Sequence, residues 1–408
     1  MKIWIFEIGE PLPLEGSVRL HRYGQFSKFL ADKGHDVTWW TSSFSHAPKK
    51  HFSEKDQDFP HGKATLRVIC GLGYPRNVSL ARIRHNKHFA QRISELMPKY
   101  DRPDLIIAPV PTIESAFAAL EFAKSKNIPI VTDIRDHWPD ELRDLAPKLL
   151  RTLAQLALFR SYQKMSYLCQ NVTGIMGTSE NELGFGLRFA KRDKSKNDLL
   201  FPHGYTPAII SSEKLNEAHS WCEQIGIKKE NFNICYFGTM GKFFDLETVI
   251  GCARTLRDQK IRFILAGDGS EKKKFMSLAQ GLDNVIFPGW VDQPKIAAIM
   301  QRSKVGIAPY RLGTKMSLPN KPFEYMSGKL AILSSIQGEL TPILVNDKCG
   351  LTYKADSTED LRHAVFKLVN DANLTATMGE NGYRVFTERF STEKVFAQAE
   401  RHLCQVVQ

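Results

Sequence analysis

Residues 315 to 334, KMSLPNKPFEYMSGKLAILS, pack a proline-containing loop, a lysine, a carboxylate and a glycine-marked turn before an apolar run, residue types that suit an anionic ligand. A proline-containing loop runs into a helical pattern, and the amides and dipole at a helix start make an anion site. Ser317, Leu318, Pro319 and Asn320 are expected to form that loop with their amides toward a phosphate or sugar. Lys321 stands beside it as a compact positive charge. Glu324 falls one turn into the helix, where its two acceptor oxygens suit the vicinal hydroxyls of a ribose.

A second polar group, Asp133, Arg135, Asp136 and His137, ends an apolar run just before Trp138-Pro139 and should crowd a cleft. Asp133 and Arg135 have the types of an ion pair that ties a loop together. A histidine that titrates near neutrality can donate to a sugar hydroxyl or assist an attacking group. Gly16 and Ser17, on the first strand-to-helix loop, are candidate phosphate or sugar contacts, and His203 reads as a loop histidine.

The elements that must position these groups follow a repeating grammar. Short apolar runs, KIWIFEIG, DVTWWTS, LRVICGL, DLIIAPV, PIVTDIRD, VTGIMGTS and LLFPHGY, leave room between them for helices, the signature of a parallel sheet. Residues 19 to 33 carry apolar side chains at helical spacing and Gly34 stops the pattern. The grammar restarts near Asn231 with NICYFGT, RFILAGDG, NVIFPGW, VGIAPY, LAILSS and GLTY. Two Rossmann-like domains are expected, residues 1–212 and 213–390, with a last helix at 391–408 packing back on the first. Open α/β sheets bind ligands beyond the carboxyl ends of their strands, so the site belongs in a cleft there.

The 408-residue length exceeds what one core usually serves. Seven scattered cysteines, with no C-x-x-C pair, point to a reducing compartment and no structural zinc. MKIWIFEIGE reads as a first strand rather than an export signal, and no run is long enough to span a membrane. No D-x-D pair or other clear ligand cluster is expected at a strand end, so no metal is called for.

The donor-loop segment resembles that of the retaining, family 4 glycosyltransferases of GT-B fold, closest to the branch that builds bacterial surface polysaccharides, where S-x-P-N-K-x-x-E/D-Y-M precedes a glycine and a strand. GTMGKFFDLETVIGCA, FILAGDGSEKKKF, NVIFPGWVDQPKIAAIMQRSKVGIAPY, TDIRDHWPD and GEPLPLEGSVRLHRYGQFSKFLADKGHDVTWW resemble the family's other stretches in order. The resemblance implies two parallel-sheet domains facing across a cleft. Gly238, Thr239 and Gly241 would line a diphosphate that Lys242 and Lys321 neutralise, while Gly267 and Gly269 let backbone approach the nucleotide. Trp290 and Val291 would sit near the base, and Asp136 and His137 beside the transferred sugar. Many members carry a further glutamate eight positions before Glu324; here that position is Met316.

The formal charge of +12 asks for an anionic partner. Residues 76–92 hold Arg76, Arg82, Arg84, Lys87 and Arg92 without an acid, and residues 148–164 mix leucines with Lys148, Arg151, Arg160 and Lys164, again without one. Aromatics do not interleave with these runs as a nucleic-acid platform requires, so a membrane or a lipid-linked pyrophosphate is the expected partner, and residues 148–164 otherwise read as a buried domain helix. The implied function is retaining sugar transfer from a nucleotide-diphosphate sugar to a polyprenyl-pyrophosphate-linked or saccharide acceptor. It would proceed without metal or other cofactor, at the cytoplasmic face of the cell membrane. The rival readings are a sugar-nucleotide epimerase of the same architecture and a non-catalytic two-domain ligand-binding protein.

Overall fold

The apolar runs become the strands of two separate sheets. In the computed structural model, which describes residues 1–14, 20–46, 48–257, 259–314 and 317–408, the chain divides into two units. The first comprises Met1–Pro202 and Phe396–Gln408; the second comprises His203–Val395. The division thus falls about ten residues before 212/213, and the helix Thr392–Val407 passes from the second unit into the first.

The first unit is built on an eight-stranded sheet in the order Leu199–Leu200, Gly174–Gly177, Ile130–Ile134, Leu105–Val110, Lys2–Phe6, Asp36–Ser42, Ala64–Ile69 and Gln57–His61. Only the last strand is antiparallel to its neighbour. Its Pro60 explains why it escapes a sequence reading, since a proline demotes a run to an edge position. Continuous apolar burial in Lys2–Phe6 and Leu105–Val110 reflects helices on both faces. Trp4 and Trp40 meet at 5.0 Å in this core. The helix Arg22–Asp32 starts without a side-chain cap of its own, and Glu10 fills the role from the preceding loop. Its Oε2 accepts from the amides of Tyr23 and Gly24 at 2.9 and 3.1 Å.

The second unit has six parallel strands in the order Val285–Gly289, Ile261–Ala266, Phe232–Phe237, Val305–Ala308, Ala331–Ser334 and Gly350–Thr352. The strand order reverses between Phe232–Phe237 and Val305–Ala308, and that reversal opens a crevice at their carboxyl ends. The helix Lys321–Ser327 is fastened below it by an apolar face. Phe323 stacks on Phe390 at 4.1 Å, and the Tyr325 hydroxyl accepts from the Phe237 amide at 3.1 Å. Gly306 leaves room for the ring of Tyr325, because a Cβ there would lie 2.2 Å from Tyr325 Cγ. Gly306→Ala is therefore expected to lower unfolding free energy by roughly 1–3 kcal/mol in chemical denaturation and to displace the helix that carries Lys321 and Glu324. A variant as stable as the wild type would show that this contact does not seat the helix.

Candidate functional site

The groups of the second unit converge at the crevice. Residues Phe323, Tyr325 and Met326 of the short helix face the core, so Lys321 and Glu324, three positions apart, share the opposite side. Lys321 lies directly over Gly238, the residue after strand Phe232–Phe237. A Cβ on Gly238 would meet Lys321 Cε at 2.5 Å and Nζ at 2.7 Å. The ammonium is walled by aromatic faces, 4.2 Å from the Phe244 ring centroid and 5.6 Å from that of Tyr236. Among the described residues no carboxylate forms an ion pair with it. Burial pushes its pKa down to about 8, only partly opposed by the nearby Glu324 carboxylate. Glu324 is half-buried, and its Oε1 accepts from the Tyr205 hydroxyl at 3.1 Å. Nothing in the spacing of FPHGYTP singles out Tyr205, which reaches the site only through the fold.

The glycine turns form one packed unit. The Gly238 carbonyl occupies the place of a Cβ on Gly267, and the Met240 carbonyl that of a Cβ on Gly269. Met240 in turn donates to the Asp268 carbonyl at 2.8 Å. The requirement for glycine at 267 and 269 is thus met by loop-on-loop packing. Thr239 and Lys242 are exposed beyond the turn and Gly241 is half-buried. Trp290 is 75% exposed, whereas Val291 belongs to the apolar core.

The side chains of the loop before the helix are settled against the rest of the second unit. Pro319 is buried and Leu318 packs on the core, while Ser317 is engaged with Glu339, donating to its Oε1 at 2.9 Å. Asn320 is exposed. The helix has seven residues with Pro322 near its start, and Phe323 and Glu324 already donate to the Asn320 carbonyl. Pro322 has no N–H and these two amides are already used, so in the first turn the charge of Lys321 outweighs the dipole. Met316 lies outside the described residues, as do Gly16 and Ser17 of the first unit.

In the first unit the expected Asp133–Arg135 pair is not formed. Asp133 is wholly buried, accepts from the Tyr23 hydroxyl at 2.7 Å and pairs with Arg22 at 3.3 Å. Arg135 instead lies 2.9 Å from Glu7 and 3.3 Å from Glu10. Strand alternation explains the switch, since residues two apart leave the strand on the same side but the chain turns after Ile134. Burial pushes the Glu7 pKa up to about 8 against the pull of Arg135, with Glu10 adding to the rise.

A cavity of about 140 Å³ opens where the first sheet's order reverses, between the ends of Lys2–Phe6 and Leu105–Val110. Arg135 and Asp136 line it together with Glu7, His46, Arg82 and His85. Burial raises the Asp136 pKa, and Arg135 opposes the rise. Burial and neighbouring cations hold His46 down at about 4, and burial does the same for His85, whose Nδ1 accepts from the Gly73 amide at 3.1 Å. Both imidazoles are neutral near pH 7, and a carboxyl of raised pKa beside them can exchange a proton with a hydroxyl. His137 is not part of this wall. Its ring stacks on Phe185 at 4.5 Å, with Glu182 3.6 Å away.

The basic run 76–92 is divided by the helix Leu80–Leu96. Arg82 turns to the cavity and Arg92 pairs with Asp56 and Glu95, leaving Arg76, Arg84 and Lys87 exposed.

Lys321 yields a pH test. Its charged form is complete below about pH 8 and is lost above it. Pyrophosphate affinity should therefore fall as pH rises through 8, and Lys321→Met should both weaken binding and flatten that dependence in calorimetry. An unchanged pH profile in the variant would remove Lys321 from the anion site.

Residues 231–371 match the family model described as "Glycosyl transferases group 1", a span that includes residues 315–334. The WcaI protein of Escherichia coli, whose name assigns it provisionally to colanic acid biosynthesis as a glycosyl transferase, is 26% identical over 70% of this chain and 71% of its own. The uncharacterised glycosyltransferase MJ1069 of Methanocaldococcus jannaschii is 26% identical over 46% of this chain, and the match spans half of that protein's length. Among solved structures, sucrose-phosphate synthase of Thermosynechococcus elongatus superposes with a TM-score of 0.69 at 17% identity, covering 100% of this chain and 99% of that one. HepE of Anabaena, solved with UDP-glucose, gives 0.64 at 15% identity over 99% and 100%. The fold is the GT-B architecture of two Rossmann-like parallel-sheet domains, and the family match supports a group 1 glycosyltransferase.

Proposed function

We propose that the protein transfers a glycosyl group, of hexosyl type and with retention of configuration, from a nucleoside-diphosphate sugar to a lipid-linked or saccharide acceptor in surface polysaccharide synthesis. The observation that carries the reading is Lys321, a desolvated cation that forms no ion pair among the described residues and is only partly balanced by Glu324, held over Gly238 where the second sheet reverses. A diphosphate is the ligand that such a cation lacks. Glu324, on the same side of the helix, would take the ribose hydroxyls. The match to group 1 glycosyl transferases over the segment that carries both residues supports this donor class, and the solved complex of HepE with UDP-glucose supports the compound type. WcaI supports the polysaccharide setting.

In the proposed reaction the bond from the anomeric carbon to the diphosphate breaks as negative charge grows on the departing oxygen. Lys321 and Lys242 neutralise it, so the charge needs no metal in this reading. The acceptor oxygen bonds to the anomeric carbon on the same face, and its proton passes to the leaving phosphate. Asp136, in the first unit's cavity, would receive or orient an acceptor hydroxyl. An acceptor carried on a lipid would place the protein at the inner face of a membrane.

Thermal stabilisation by a panel of nucleotide-sugars identifies the donor, because a ligand that binds only the folded state raises its apparent stability. Glu324→Gln should weaken the best donor by about 1.5–3 kcal/mol in calorimetry, roughly 10- to 150-fold. No stabilisation by any nucleotide-sugar, or a donor affinity untouched by the substitution, would overturn the donor-site reading. Asp136→Asn should leave donor affinity intact while slowing acceptor-dependent nucleotide release by roughly 10²-fold. Equal release rates would exclude Asp136 from the acceptor side.

A further inference from the structure

The segment from Leu145 to Lys164 does not fold as a buried domain helix. A short turn of helix at Lys148–Leu150 leads into the helix Arg151–Ala157, and neither contributes a buried residue. Leu149 is 95% exposed, Leu153 62% and Leu156 66%, and Leu145, Leu150 and Phe159 are exposed as well. Positions 149, 153 and 156 follow helical spacing, so these leucines form one stripe. A contiguous apolar face of this kind on a folded surface marks a binding surface.

Charge identifies the occupant. No acidic residue interrupts residues 145–164, while Lys148, Arg151, Arg160 and Lys164 lie among the leucines. Among the described residues, of these cations only Arg151 forms an ion pair, with Asp144 at 3.8 Å, and Lys148 and Arg160 are exposed. A second copy docked through a two-fold axis would set its own cations against these, which like-charge repulsion disfavours. An anionic lipid surface meets both demands, with headgroups for the cations and acyl chains for the leucines.

We propose that residues 145–164 form a membrane-inserting face, which lies in the interface of an anionic bilayer with Leu149, Leu153 and Leu156 below the headgroups. The inference deepens the membrane part of the reading above. It also moves the contact away from the helix Leu80–Leu96, where Arg82 serves the cavity and Arg92 is paired. Insertion differs from electrostatic adsorption in its response to salt. At about 1 M salt the screening length shrinks to about 3 Å and adsorption is lost, whereas buried leucines still hold.

Sedimentation with phosphatidylcholine vesicles, with and without phosphatidylglycerol, tests this. Wild-type protein is expected to bind the anionic vesicles and to retain a bound fraction in 1 M salt (screening length about 3 Å). Replacing Leu149, Leu153 and Leu156 together with serine should abolish the salt-resistant fraction and weaken binding roughly tenfold or more. Replacing Lys148, Arg160 and Lys164 with glutamine should abolish the preference for anionic vesicles. All six side chains lie outside the core, so unchanged circular dichroism and melting temperature should accompany both variants. A serine variant that binds like the wild type overturns the proposal. So does a wild type that ignores vesicles, or one whose lipid-free dimer is broken by the serine substitutions. Donor binding, read with soluble nucleotide-sugars, is a separate measurement, so failure here leaves the donor-site reading intact and failure there leaves this one intact.

Discussion

A lysine ammonium held partly out of water over a bare glycine is the constraint around which the second unit is arranged. Burying a cation is costly unless an anion compensates. Glu324 compensates in part, but the aromatic walls of Tyr236 and Phe244 keep the pKa of Lys321 near 8. Three features serve that placement: Gly238 has no side chain to obstruct it, Tyr325 fastens the helix to the strand, and Gly306 makes room for Tyr325. The result is a preorganised positive charge whose full stabilisation waits for a ligand, the arrangement that electrostatic catalysis uses against a growing negative charge.

The first unit solves the opposite problem. Its polar centre is rich in carboxylates, and these are divided between two arginines: Asp133 with Arg22, and Glu7 and Glu10 with Arg135. Glu10 also supplies the helix cap that His21 does not. Two members of this network, Glu7 and Arg135, also line the cavity. With the imidazoles neutral, Glu7 and Asp136 are the carboxyls of raised pKa that line the cavity. The carboxyl of Asp136 adjoins this network, its pKa raised by burial against the pull of Arg135.

The likeness to glycosyltransferases is strongest where the chemistry of the ligand is shared and weakest where partners differ. The family match begins and ends within the second unit, residues 231–371, the region that carries Lys321 and Glu324. The exposed leucines and the cavity of the first unit lie outside it. Sites that meet an invariant nucleotide are bound by its geometry, whereas surfaces that meet an acceptor or a bilayer need only suitable charge and apolar area.

The sequence by itself determined the parallel-sheet organisation, because buried strands between helices must be short continuous apolar runs, and every run of the second unit became a strand. It also marked Lys321 and Glu324, since local spacing on a helix places them on one face. Tertiary structure alone decided the partners. Asp133 and Arg135 are two residues apart in the chain, yet each pairs with side chains more than a hundred positions away. Tyr205 reaches Glu324, Val291 enters the core, and Ser317 is claimed by Glu339. The helix Arg151–Ala157 has an apolar stripe that reads equally well as core or as docking face. Periodicity reports that a stripe exists, and only the packing of the remaining chain shows whether anything covers it.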